Sequence, residues 1–174
     1  MIIPPEITHP KQVPEKFTLL ATVVDPFDKD RDYLFLKYQK ILVIFTGHNR
    51  KNLETGEIKY SFYQACFPMG ALTWVMKMLD FFFTPPKDGG LAAGKIATTE
   101  QVDGEKLMFT RGMCVGGPDH GGYMLENLSR INYGRKPDSQ SYQGFDFPDP
   151  FLFDGGLMEF WQDLAAKYER GEFD

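Results

Sequence analysis

The chain has 174 residues and a mass of 19.9 kDa, room for one ordinary domain or for two small units around a shared core. Hydrophobic residues at 43% and charged residues at 25% exclude a disordered chain. A net charge of −5 argues against a polybasic nucleic-acid or membrane binder but leaves space for a local basic groove.

The longest apolar runs, Ile41–Phe45 and Phe81–Phe83, fall far short of the roughly 20 residues a membrane span needs. Met1-Ile2-Ile3-Pro4-Pro5 has no basic start and no apolar block, so no signal peptide is expected. Cys66 and Cys114 form no CxxC pattern and read as two buried thiols, with pairing left open. His9, His48 and His120 are far apart, without a ligand partner at helical spacing. The expectation is a cytoplasmic protein with no metal and no cofactor.

Residues 1–16 carry four prolines and no periodicity, which predicts an extended arm. Phe17–Val24, Tyr33–Tyr38 and Ile41–Thr46 are rich in apolar and β-branched types and predict three strands. Gly47–Asn52 and Thr55-Gly56-Glu57 read as turns. Ile58–Phe67 comes close to an alternation with period two, a fourth strand. The period then changes. Ala71, Leu72, Val75, Met78, Leu79 and Phe82 line one face of a helix that must stop before Pro85-Pro86.

Residues 84–95 predict a linker. Beyond it, Lys95–Thr99, Lys106–Thr110, Tyr123–Tyr133 and Tyr142–Phe147 are strand candidates separated by glycine-rich turns. Asp154 sits where an N-cap belongs. Leu157, Phe160, Trp161, Leu164 and Tyr168 then follow helical spacing.

The two helices overlay at a constant offset of 86 residues. Phe67, Gly70, Leu72, Trp74, Val75, Met78 and Phe82 fall on Phe153, Gly156, Met158, Phe160, Trp161, Leu164 and Tyr168. This predicts an internal duplication, with Trp74 and Trp161 at equivalent places. The fold class is therefore α+β: two β-β-β-β-α repeats, each an antiparallel sheet with one amphipathic helix. The units are the arm 1–16, a first repeat 17–83, the linker 84–95, a second repeat 96–170 and an acidic tail 171–174.

A doubled β-β-β-β-α pattern over residues 17–168 resembles the single-stranded-nucleic-acid-binding fold of the Whirly proteins, the Pur-alpha repeats and the eukaryotic transcriptional positive cofactor. A local echo is the strand, bend and early Trp of Ala65-Cys66-Phe67-Pro68-Met69-Gly70-Ala71-Leu72-Thr73-Trp74. The resemblance implies curved sheets that present aromatic and basic side chains to a single strand.

Single strands need cations along the backbone and flat rings for the bases. Residues 31–60 carry a net charge of +3, residues 106–143 a net of +2 and residues 144–174 a net of −6. The sheets are thus mildly basic, with tyrosines between the cations. The candidate binding residues are Arg50, Lys51, Lys59 and Tyr60 in the first repeat, and Arg130, Tyr133, Arg135 and Lys136 in the second. Their ordinary role would be solvation of strand faces and hairpin tips. The C-terminus, with Phe173 among acids, looks like the tails by which some single-strand-binding proteins recruit partners.

Two decoys are set aside. Gly89–Lys95 satisfies GxxxxGK, but Ile96 stands where a P-loop needs a hydroxyl. Asp119-His120 lies in a glycine-rich turn, with no nucleophile motif. No catalytic residue is nominated. The functional expectation is a non-catalytic protein that binds single-stranded DNA or RNA. The alternatives are a protein–protein interaction or assembly module, or an enzyme whose site comes together from distant residues. A homo-oligomer and a protein partner at the C-terminus stay open; a membrane does not.

Overall fold

The computed structural model describes residues 1–28, 31–133 and 141–174. Strands β1 (Thr18–Val24), β2 (Asp32–Tyr38), β3 (Ile41–Lys51) and β4 (Ile58–Pro68) pair in that order as an antiparallel meander, followed by helix α1 (Ala71–Phe83). Strands β5 (Ala97–Val102), β6 (Glu105–Gly112), β7 (Gly122–Ile131) and β8 (Tyr142–Pro148) repeat the arrangement, followed by α2 (Leu157–Glu169). The fold is α+β with two sheet-then-helix units. Strand order is the same in both, and the helices start 86 residues apart.

Local chemistry sets the boundaries. Asp103 and Gly104 join β5 to β6 with φ of 47° and 84°, a two-residue turn whose hand matches strand twist. α1 stops at Thr84, ahead of two prolines that cannot continue it. The N-cap expected at Asp154 is displaced. Asp154 closes a single π-helical turn, Pro150–Asp154, and α2 begins after Gly156, whose φ of 84° favours glycine. The segment 84–95 contains one 3₁₀ turn, Pro86–Asp88. It runs from a helix into a strand, the reverse of a P-loop's surroundings.

One core serves both units. Phe35, Ile44 and Phe67 of the first sheet, Leu107, Phe109, Leu125, Phe145 and Phe147 of the second, and the inner faces of both helices form a single apolar cluster. Trp161 is its centre, with its ring 4.9 Å from Phe147 and 5.6 Å from both Phe35 and Phe145. Its indole N–H donates to the Leu72 carbonyl at 3.0 Å. The two tryptophans are not equivalent. Trp74 is buried at the margin of the same core, against Phe109, and its N–H donates to the Glu100 carboxylate at 2.8 Å.

The arm covers the other face of the first sheet. Ile7 is buried among Phe17, Leu36, Ile41, Val43, Phe45 and Cys66. Its N–H donates to Gln64 Oε1 at 2.8 Å, and Gln64 Nε2 donates to the Pro5 carbonyl at 3.1 Å. β3 is thus buried on both faces from Ile41 to Phe45, which accounts for five apolar residues in succession. The C-terminal segment also folds back: Phe173 packs against the main core, and its carbonyl accepts from the Lys37 ammonium. Cys66 and Cys114 are free thiols; Cys66 is buried, while Cys114 is exposed rather than buried as expected.

The two sheets meet along β4. The Cys66 N–H donates to Gln143 Oε1 at 2.8 Å, and the Cys66 carbonyl accepts from Asn127 Nδ2 at 2.9 Å. Asn127 also donates to Glu105 at 2.6 Å. Glu105 in turn holds Arg130 through contacts of 2.7 and 2.5 Å. Among the described residues no helix is long and apolar enough to cross a membrane.

The Glu105–Arg130 pair is nearly sealed from water, so loss of one partner leaves a buried charge unmatched. Glu105→Ala is expected to lower stability by about 3–5 kcal/mol. The double variant Glu105→Leu with Arg130→Met should lose less than that single change. Urea denaturation midpoints of the two variants test this.

Candidate nucleic-acid interface

β3 and β4 outrun their neighbour. β2 pairs with β3 only as far as Gly47, so His48–Lys51 and Ile58–Ser61 continue as a two-stranded ribbon. The stretch His48–Lys51, expected as a turn, is therefore strand; the reversal comes at residues 52–57, where Asn52 Oδ1 accepts from the Glu54 N–H. In the ribbon Arg50 lies directly opposite Lys59, and Asn49 opposite Tyr60. Alternation puts Arg50 and Lys59 on one face, and Lys51 and Tyr60 on the other.

The Arg50 face looks into a groove of about 680 Å³ between the two sheets. Its first-sheet wall carries Arg31, Tyr33, Thr46, His48, Arg50 and Tyr63. Its second-sheet wall carries Met124, Glu126, Tyr142, Gly144 and Asp146. Arg50 Nε donates to His48 Nε2 at 3.2 Å, while His48 Nδ1 and Thr46 Oγ1 are buried with no partner among the described residues. The Tyr63 hydroxyl accepts from the Gly144 N–H at 2.8 Å and donates to Asn132 at 3.0 Å, which ties the walls together. Burial pushes that hydroxyl up to about 12.

The carboxylates respond to the same enclosure. Burial raises Glu126 above the usual carboxylate range, and the neighbouring charge of Asp146 raises it further. Asp146 is open to the groove, yet the protein mass around it pushes its carboxyl up, with Arg31 pulling the other way. A larger hollow of about 1050 Å³ lies by the two termini; it holds Lys37 and Lys40 but no candidate residue. Among the described residues no three His, Cys, Asp or Glu side chains gather as a metal site would require.

The eight candidates separate accordingly. Arg50 lines the groove, and Lys59 shares its face of the ribbon without lining the groove. Lys51 is exposed on the far face of the ribbon. Tyr60 is also there, its ring 5.0 Å from His9 and 6.4 Å from Phe62. Arg130 is 5% exposed and belongs to the sheet seam, where it also donates to the Ile2 carbonyl at 2.8 Å. Tyr133 holds the arm: its hydroxyl donates to the Pro4 carbonyl at 3.0 Å and accepts from Gln64. Arg135 and Lys136 lie outside the described residues. The groove residues not singled out beforehand, Thr46, His48, Ser61, Glu126 and Asp146, left one signal. Thr46, His48 and Arg50 continue in polar form the same strand face that begins as Leu42 and Ile44.

The raised carboxyls have a consequence for stability. A folded-state carboxyl above its unfolded value of about 4 favours the protonated form. Its contribution is present at low pH and lost as pH rises through the folded value. Glu126→Gln and Asp146→Asn are thus expected to raise the denaturation midpoint at pH 7 and to leave it unchanged near pH 3, read by urea titration at both.

Comparisons with protein-family models, with curated proteins and with solved structures return no match for this chain.

Proposed function

We propose that this protein binds single-stranded DNA or RNA, without catalysis, along the groove face of the β3–β4 ribbon. The observation that carries this reading is Arg50 directly opposite Lys59. Like charges facing each other across a strand pair cost stability; Glu57 offsets part of this through an exposed pair with Lys59 at 3.7 Å, and a phosphate backbone laid over the cations turns the remaining repulsion into attraction. Beneath the cations the groove offers Tyr142 and Tyr63 as rings on which bases stack. Lys51 and the net positive charge of residues 31–60 extend the field.

A second reading has its own observation. Phe83 and Phe153 are 47% and 50% exposed, with rings 5.9 Å apart, and Phe27 is 62% exposed. Exposed rings of this kind suit an interaction or assembly module. Salt separates the two, because counterion release weakens nucleic-acid binding steeply while an apolar interface is indifferent.

The test is a fluorescence titration of a labelled oligothymidine at low and high salt. Arg50→Ala and Lys59→Ala are each expected to flatten the plot of log affinity against log salt by about one unit and to matter little at high salt. Tyr142→Ala should cost about 1–3 kcal/mol at any salt. If the parent protein shows no salt-sensitive binding, the interaction-module reading replaces this one.

A further inference from the structure

We propose that the groove seats one unpaired base bearing amino donors on its Watson–Crick edge, guanine before the others, and that Glu126 is the group that reads it. This inference rests on the single-strand reading above.

The second-sheet wall is built for a flat ligand. Glu126 faces Gly144 and Met124 faces Asp146 across the β7–β8 pair, so the two carboxylates are diagonal neighbours beside a residue with no side chain. A Cβ at Gly144 would come within 3.0 Å of the Leu125 carbonyl and 3.4 Å of Glu126 Cγ. Glycine keeps that floor bare. Among the described residues neither carboxylate has a hydrogen-bond partner; Glu126 is half-buried with the charge of Asp146 beside it, while Asp146 is exposed and has Arg31 as its opposing charge. Glu126 is thus the acceptor left most in need of donors.

The facing wall carries Arg31 and Arg50. Thr46 Oγ1 and His48 Nδ1 are buried behind them with no partner among the described residues. Buried polar atoms in native proteins are almost always satisfied, and each one left open costs stability. Neither atom is open to the groove, so the donors a base meets on this wall are Arg31 and Arg50.

Base chemistry then ranks the occupants. An ionised carboxylate only accepts hydrogen bonds. Guanine offers N1–H and N2–H side by side, a pair that one carboxylate takes in bidentate fashion, while its O6 and N7 accept from an arginine such as Arg31 or Arg50. Cytosine and adenine each bring one amino group. Thymine brings a single N3–H flanked by two carbonyl oxygens, which a carboxylate repels.

A short oligothymidine with its central base replaced in turn by guanine, hypoxanthine, cytosine or adenine tests this by competition at pH 7 and low salt. The guanine oligomer is expected to bind about tenfold more tightly than oligothymidine. Hypoxanthine, which lacks the N2 amino group, should fall between them. Glu126→Gln should remove most of the guanine advantage and leave oligothymidine affinity the same or higher. Asp146→Asn should reduce the advantage less. Thermal melting of both variants checks that they are folded. Equal affinity for all five oligomers overturns this inference and leaves the single-strand reading intact. A guanine advantage that survives both substitutions also overturns it. Absence of binding to every oligomer overturns both.

Discussion

The edge of β4 is the constraint on which the rest depends. An edge strand presents backbone groups that must find partners once buried. At Cys66 these partners are two side-chain amides from the other sheet, Gln143 on the N–H and Asn127 on the carbonyl. The sheets therefore join without continuing one another. Each keeps its own strand order and its own helix, and the angle between them opens the groove further along the same strand. Asn127 needs Glu105 to complete its bonds, Glu105 needs Arg130, and Arg130 reaches the arm at Ile2. One polar chain thus runs from the seam to the N-terminus through an otherwise apolar interior.

Rings fill the space that this geometry leaves. Phe35, Phe145, Phe147, Phe160 and Trp161 meet mostly edge to face at the junction of sheets and helices. Aromatic pairs favour this edge-to-face geometry, and each ring buries a large apolar area at the junction. The aromatic content of 15% is therefore spent largely on the core. Only part of it remains at the surface for recognition.

The elements were legible where the period was strong. Alternation marked β4, helical spacing marked α1 and α2, and the double proline marked where α1 stops. The ribbon was not legible, because Gly47 and Asn49 carry turn character that pairing with β4 overrides. The turn between β5 and β6 falls on Asp103-Gly104, a dipeptide with its own hairpin geometry that the reading of the strands passed over. The site was harder. Arg130 and Tyr133 look in sequence like surface groups, and only their distant partners, Glu105 and Gln64, show where they are used. Glu126 and Asp146 carry no motif. What gathers them with His48 and Arg50 is the meeting of two sheets, a long-range event with no local trace.

The arm that seals the first sheet also seals a thiol. Cys66 lies beneath Ile7, close to Gln64 and Tyr133, and burial pushes its thiol away from the reactive thiolate form. Cys114 stands open to solvent. An alkylating reagent added to the native chain therefore meets one cysteine at once and the other only when residues 1–16 lift away. The chain carries its own clock for that local opening, read by the delay between first and second label. The rate reports detachment of a single segment rather than collapse of the whole.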